Sequence, residues 1–295
     1  MSGPERGFLL LTSHLGNPER NPLTVAQFRQ LTQRMQQNDA LLSHRELRLE
    51  DIIALGYDKA YAKRVLALLS EEELLDHYLA RGKRYGCVPV VRSNPAYPVI
   101  LRKRLGLDAP GCIWAKGDLS LLDTKMIALV GSRDLQLPNR EFAAAVGMEA
   151  ARQGITLVSG NARGADQVAQ NACLQAGGKV ISVVADQLKS HKIGENILYL
   201  SEDSFDLPFS PLRALSRNRV IHGLGYLTIV AQCSLKTGGT WDGTVKNLRG
   251  NWSPVFVIDD SNPATRELEQ LGATRITPEQ LCDFGALQSN INSFL

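Results

Sequence analysis

Met126-Ile-Ala-Leu-Val-Gly131-Ser132-Arg133-Asp134 decides the fold of this chain. Apolar or small side chains fill the first five positions. A glycine, a hydroxyl, a guanidinium and a carboxylate follow. The unbroken apolar run has the length of a strand buried on both faces. The turn after it reads as the first βα turn of an open α/β sheet, where a glycine lets a ligand approach the backbone and the next helix aims its N-terminal amides at an anion.

Downstream the pattern repeats. Ile155–Val158, Lys179–Val184, Ile197–Leu200, Tyr226–Ala231 and Pro254–Ile258 read as strands, with helical segments between most of them. Strands alternating with helices at this spacing imply a mostly parallel, Rossmann-like sheet flanked by helices. Upstream, residues 1–80 read as helical. Thr24 opens a capping pattern before Val25, Asp51–Gly56 is a short helix closed by glycine, Asp58 caps another, and Ser70 starts the next. Gly86–Val91 suggests a short strand. The sequence therefore predicts a helical N-terminal domain with a short linker strand over 1–118, a Rossmann-like domain over 119–287 and a tail over 288–295.

Composition narrows the function classes. An apolar content of 44% and a charged content of 21% belong to a soluble globular protein. No apolar run is long enough to span a membrane, and no basic-then-apolar leader opens the chain. The 5 cysteines are scattered and never form C-x-x-C, which points to a reducing, cytoplasmic setting and away from zinc. The 5 histidines show no ligand spacing, so neither a metal nor a cofactor is expected. There is no G-x-x-x-x-G-K-[ST], no G-x-S-x-G and no H-E-x-x-H, and no catalytic residue is assigned. A net charge of +3 is too small to signal nucleic acid by itself. Its distribution is more telling, because residues 81–104 carry seven Lys or Arg and no acid.

Ligands of open α/β sheets sit beyond the carboxyl ends of the strands. The residues predicted there are Gly131, Ser132 and Arg133; Ser159, Gly160, Arg163 and Gly164; and Lys236, Thr237, Gly238, Gly239 and Thr240. Amides, hydroxyls and cations together suit phosphate oxygens. Ser216-Arg217-Asn218-Arg219 adds two guanidiniums roughly 200° apart on a helix. One is expected to face the ligand and the other to pair with an acid such as Asp166.

These motifs, in this order, resemble the DprA/Smf family of DNA-processing proteins. The resemblance rests on Val130–Arg133, Val158–Asp166, Gly178–Val184, Ser216–Ile221 and Lys236–Thr240, with Tyr97-Pro98, Leu101, Leu105, Pro110 and Gly117 ahead and Leu271–Ala273 behind. It implies a protein that binds single-stranded DNA without catalysis, in transformation or in a divergent role such as phage defence. It also implies a strand-exchange recombinase and a second copy of the chain as partners to test. By the same resemblance Gly131, Ser132 and Arg133 hold a phosphate, Ser159, Gly160 and Gly164 line that pocket, and Arg217, Asn218, Arg219 and Lys236 surround it. Tyr97, Trp114 and Trp241 are available to stack bases. The chain departs from the family after the third of these strands, where Ala185-Asp-Gln-Leu-Lys-Ser-His191 stands. Two other classes compete: a sensor that binds a small nucleotide, and a nucleoside-monophosphate glycosidase in which Asp242 replaces the usual glutamate.

Overall fold

The computed structural model describes residues 1–38 and 46–287. The tail expected over 288–295 lies outside them. The chain forms two compact units, Met1–Tyr85 and Gly86–Leu295.

The first unit is helical: α1 (Gly3–Thr12), α2 (Val25–Gln36), α3 (Leu49–Ala54), α4 (Lys59–Leu69) and α5 (Glu72–Arg84). Thr24 accepts a hydrogen bond from the Gln27 amide and Asp58 from the Tyr61 amide, so two caps fall where the sequence places them. Ser70 does not cap α5. It closes α4, its hydroxyl donating to the Ala67 carbonyl, and Glu71 precedes α5. Leu11, Leu31, Ile52, Val65 and Leu68 form the core of this unit.

The second unit is one nine-stranded sheet: β1 (Cys87–Val91), β2 (Cys112–Gly117), β3 (Met126–Val130), β4 (Thr156–Ser159), β5 (Val180–Val183), β6 (Ile197–Ser201), β7 (Thr228–Val230), β8 (Val255–Ile258) and β9 (Thr274–Ile276). Their order is β1-β2-β6-β5-β4-β3-β7-β8-β9. The β1–β2 and β2–β6 pairs are antiparallel and the others parallel. Residues 86–118 thus add β1, β2 and a helix between them to the sheet unit, which begins at Gly86 instead of the predicted 119. The reason is pairing: β2 lies between β1 and β6 and carries both into the sheet.

The helices of this unit are α6 (Val99–Leu105), α7 (Leu137–Arg152), α8 (Ala165–Gln175), α9 (Pro211–Ser216), α10 (Asn218–Leu224), α11 (Gly238–Gly250) and α12 (Pro263–Gln270). Alternate residues of β3 serve opposite faces, as a two-residue period requires. Ile127 and Leu129 pack with Phe142, Val146, Ala165 and Ala169 of α7 and α8. Ala128 and Val130 join the cluster of Leu101, Leu105, Val220 and Ile221 from α6 and α10. Both faces are covered, which is why β3 reads as a continuous apolar run. The parallel strands run outward from β3 in both directions, so the loops after β3, β4, β5 and β7 lie side by side at one edge.

Candidate phosphate-binding cleft

A cleft of about 470 Å³ opens at that edge. The loop after β3 contributes Arg133, the loop after β4 contributes Gly160–Arg163, and the loop after β5 contributes Val184–Asp186. Phe209, Ala214 and Arg217 close the remaining side.

Arg217 sits at the joint of two short helices, as C-cap of α9 and N-cap of α10. The predicted single basic helix is therefore interrupted here, although Arg217 itself keeps helical backbone angles, φ −63° and ψ −19°. Arg217 is only 8% exposed, and its Nη2 lies 3.7 Å from Asp166 Oδ2. Its Nε is buried with no hydrogen-bond partner among the described residues. Burial lowers the guanidinium's pKa, the Asp166 carboxylate opposes that, and the nearby Arg133 charge adds to it. Asp166 is buried too, which raises its pKa against the pull of Arg217 and of the Ala162 amide, which donates to it at 3.2 Å. One buried carboxylate, at long range, meets only part of the donor capacity of Arg217, a residue that also lines the cleft.

Two glycines make this geometry possible. A Cβ on Gly160 would lie 1.2 Å from Arg217 Nη1, so the guanidinium occupies the space a side chain would need. Gly164 has φ +90°, and a Cβ there would meet the Ser132 and Arg133 carbonyl oxygens at 2.4 and 2.5 Å. The loop after β3 is thereby pressed onto the start of α8, and the Ala165 amide donates to the Ser132 carbonyl.

The predicted site residues divide into three groups. Arg133, Gly160, Arg163 and Arg217 meet at the cleft. Arg133 is exposed and makes no ion pair among the described residues, whereas Arg163 reaches Asp134 at 2.7 Å in an exposed pair. A second group supports the loops. Gly131 packs against Ala165, the Ser132 hydroxyl forms a turn with Asp134, and buried Ser159 donates to the Leu129 carbonyl. The Thr240 hydroxyl donates to the Gly131 carbonyl, tying the loop after β7 to the loop after β3.

The third group lies away from the cleft, contrary to the expectation of one cradle. Arg219 reaches Glu202 at 2.8 Å and the Asp108 carbonyl at 2.9 Å. Burial lifts Glu202 to about 7. Asn218 donates to the Gly239 carbonyl, and Lys236 pairs with Glu267 at 3.1 Å. Thr237 and Gly238 are exposed at the start of α11. The two guanidiniums flanking Asn218 do point apart, as the helical period requires, but it is the cleft-facing one that meets Asp166.

Other candidates also move. Tyr97 and Trp114 are 1% and 0% exposed, and the Tyr97 hydroxyl donates to the Pro110 carbonyl, so neither is open to a base. Trp241 is half-buried against the core. Within the basic stretch, Arg104 is spent on the carbonyls of Gly223, Gly225 and Tyr226 at the end of α10. Asp242 pairs with Lys246 one turn along α11 and does not line the cleft. Conversely, Phe209, Asp186 and Asn161 line the cleft without having been singled out. Phe209, 55% exposed between Pro208 and Pro211, was legible as a loop aromatic. Asn161 has φ +58°, a left-handed conformation that asparagine tolerates.

Sheet order and cleft define a class: a Rossmann-like domain whose carboxyl edge carries a cation-floored pocket. The chain belongs, more narrowly, to the DNA recombination-mediator protein A family, the DprA/Smf family, whose pattern matches residues 89–280. It is 32% identical over 188 residues to DNA processing protein DprA of Streptococcus pneumoniae, covering 59% of this chain and 66% of that protein. It is 30% identical over 142 residues to protein Smf of Escherichia coli, covering 44% and 38%. The chain thus spans less than two thirds of the length of these relatives. The X-ray structure of S. pneumoniae DprA superposes with a TM-score of 0.73 at 24% identity, over 95% of this chain and 97% of that one. A Helicobacter pylori DprA structure described for its single-stranded DNA binding mode gives a TM-score of 0.55 at 26% identity, over 70% and 95%. Among the described residues no helix is long and apolar enough to cross a membrane.

Proposed function

We propose that this protein binds single-stranded DNA without making or breaking bonds in it, as a mediator of DNA recombination. The observation that carries the reading is Arg217: a buried guanidinium lining the cleft whose ion-pair partner among the described residues, Asp166, is 3.7 Å away, with Arg133, unpaired among the described residues, at the rim. A phosphate oxygen supplies the missing acceptor, and an exposed guanidinium beside it holds a neighbouring phosphate. Phe209 offers a face on which one base stacks, an interaction that tolerates any base. The family, and the H. pylori relative described for its single-stranded DNA binding mode, support the same ligand. Delivery of the strand to a strand-exchange recombinase, and pairing of two copies of the chain, belong to this proposal, as does a cytoplasmic setting.

Fluorescence anisotropy of a labelled oligothymidylate, titrated with salt, tests it. Affinity should fall steeply as salt rises, since much of it comes from counterion release. Affinity independent of salt rejects the proposal. A second reading has one observation in its favour: the cleft volume lies within the roughly 300–1,000 Å³ of small-molecule pockets. A nucleotide sensor would show a melting temperature raised by a free mononucleotide and not by an oligonucleotide.

A further inference from the structure

The cleft also holds a carboxylate, which a site built only for phosphate would exclude. Asp186 follows β5 and lines the cavity. Its Oδ1 lies 2.7 Å from His191 Nε2, and the His191 ring stacks on Tyr199 at 4.6 Å between centroids. Leu188, fully buried, anchors the turn between Asp186 and His191. The Asp186 side chain is still 52% exposed, and no second side chain donates a hydrogen bond to it among the described residues. The hydrogen bond from His191 holds the carboxyl below its ordinary range, with the Arg213 charge adding to this, so it is ionised. Arg217 and Arg213 are the cations facing it.

A fixed carboxylate repels phosphate and attracts a hydrogen-bond donor. Within a DNA strand, the donors are the N–H groups of the bases, because deoxyribose carries no 2′-hydroxyl. Cytosine, adenine and guanine present exocyclic amino groups. Thymine presents a single ring N–H between two carbonyl oxygens, both repelled by a carboxylate. We propose that Asp186, positioned by His191, accepts a hydrogen bond from the edge of a base in the cleft and makes it favour amino-bearing bases over thymine. This inference rests on the proposed DNA-binding role of the cleft.

The test compares oligodeoxycytidylate with oligodeoxythymidylate of equal length, at slightly alkaline pH and constant salt, by competition anisotropy. Cytidylate should bind roughly fivefold tighter, the lower end of what one base-edge contact supplies. Asp186→Asn should reduce the ratio to less than about twofold and raise affinity for thymidylate, since a like charge near the phosphates is gone. His191→Phe, which keeps a ring on Tyr199, should lower the ratio while leaving thymidylate affinity in place. Equal wild-type affinities, or a preference that survives Asp186→Asn, overturn the inference. So does a preference for oligouridylate over thymidylate that Asp186→Asn abolishes, which would assign the carboxylate to a ribose hydroxyl. If both homopolymers bind equally and Arg133→Ala weakens both, the DNA role stands and only base reading fails. If neither binds, the DNA role itself fails.

Discussion

Replacing Arg133 by alanine separates phosphate binding from folding more cleanly than any other change at the cleft. The side chain is exposed and unpaired among the described residues, so its removal takes nothing from the fold. Stability should stay within about 0.5 kcal/mol of wild type. Binding loses one charge-assisted contact at a solvent-exposed rim. The low end of the range for hydrogen bonds to charged groups, about 1.5 kcal/mol, corresponds to roughly tenfold in affinity. One phosphate fewer is neutralised, so the slope of log affinity against log salt should flatten by about 0.7, the single-strand value per contact. The loss should be similar for all sequences. Arg163→Ala supplies the contrast. Arg163 already holds Asp134, so a phosphate exchanges one acceptor for another, and a loss of only about twofold is expected. Anisotropy titrations at several salt concentrations, beside thermal unfolding curves, measure all of this. An Arg133→Ala protein with unchanged melting, affinity and slope would refute the reasoning, as would an Arg163→Ala protein weaker than it.

Two further changes test the structure beneath the cleft. Gly160→Ala puts a methyl group 1.2 Å from Arg217 Nη1, so the guanidinium must leave and Asp166 is left buried without its counter-charge. Separating a buried pair in this way should cost about 3 kcal/mol in urea unfolding, and an unaltered midpoint would show that Arg217 is not held as described. His222 is fully buried, which depresses its pKa from 6.5 to about 3, with the Arg217 charge adding to the burial. A depressed folded-state pKa means its stabilising contribution is complete above pH 6.5 and lost as pH falls toward 3. His222→Gln should therefore flatten the fall in unfolding free energy over that window, by up to about 1.4 kcal/mol per pH unit. Parallel curves for the two proteins would contradict this.

Much of the sheet was legible because the central parallel strands are buried on both faces and so read as short apolar runs: β3, β5, β7 and β8 fall within predicted segments, and β4 runs one residue beyond its own, to Ser159. Cys112–Gly117 gave no such signal. Tryptophan, alanine, lysine and glycine in succession have no period, and only antiparallel pairing with β1 and β6 makes them β2. The aromatic residues misled for a related reason. Tyr97 and Trp114 carry the chemistry of base stacking, but their burial is decided by strands and helices remote in sequence.

The chain's own order of residues determined the alternation of strand and helix, the glycine turns at the strand ends, and the presence there of Arg133, Arg163 and Arg217. Those follow from local rules: apolar period, backbone freedom and helix geometry. Which cations share a cleft was decided by tertiary structure. Arg217, between α9 and α10, lies against the bare face of Gly160, while Arg219 and Lys236 find Glu202 and Glu267. Asp186 and Phe209 face the same space from segments more than twenty residues apart. A charge's partner depends on distance through space, and that distance is set by the folded sheet and not by neighbours along the chain.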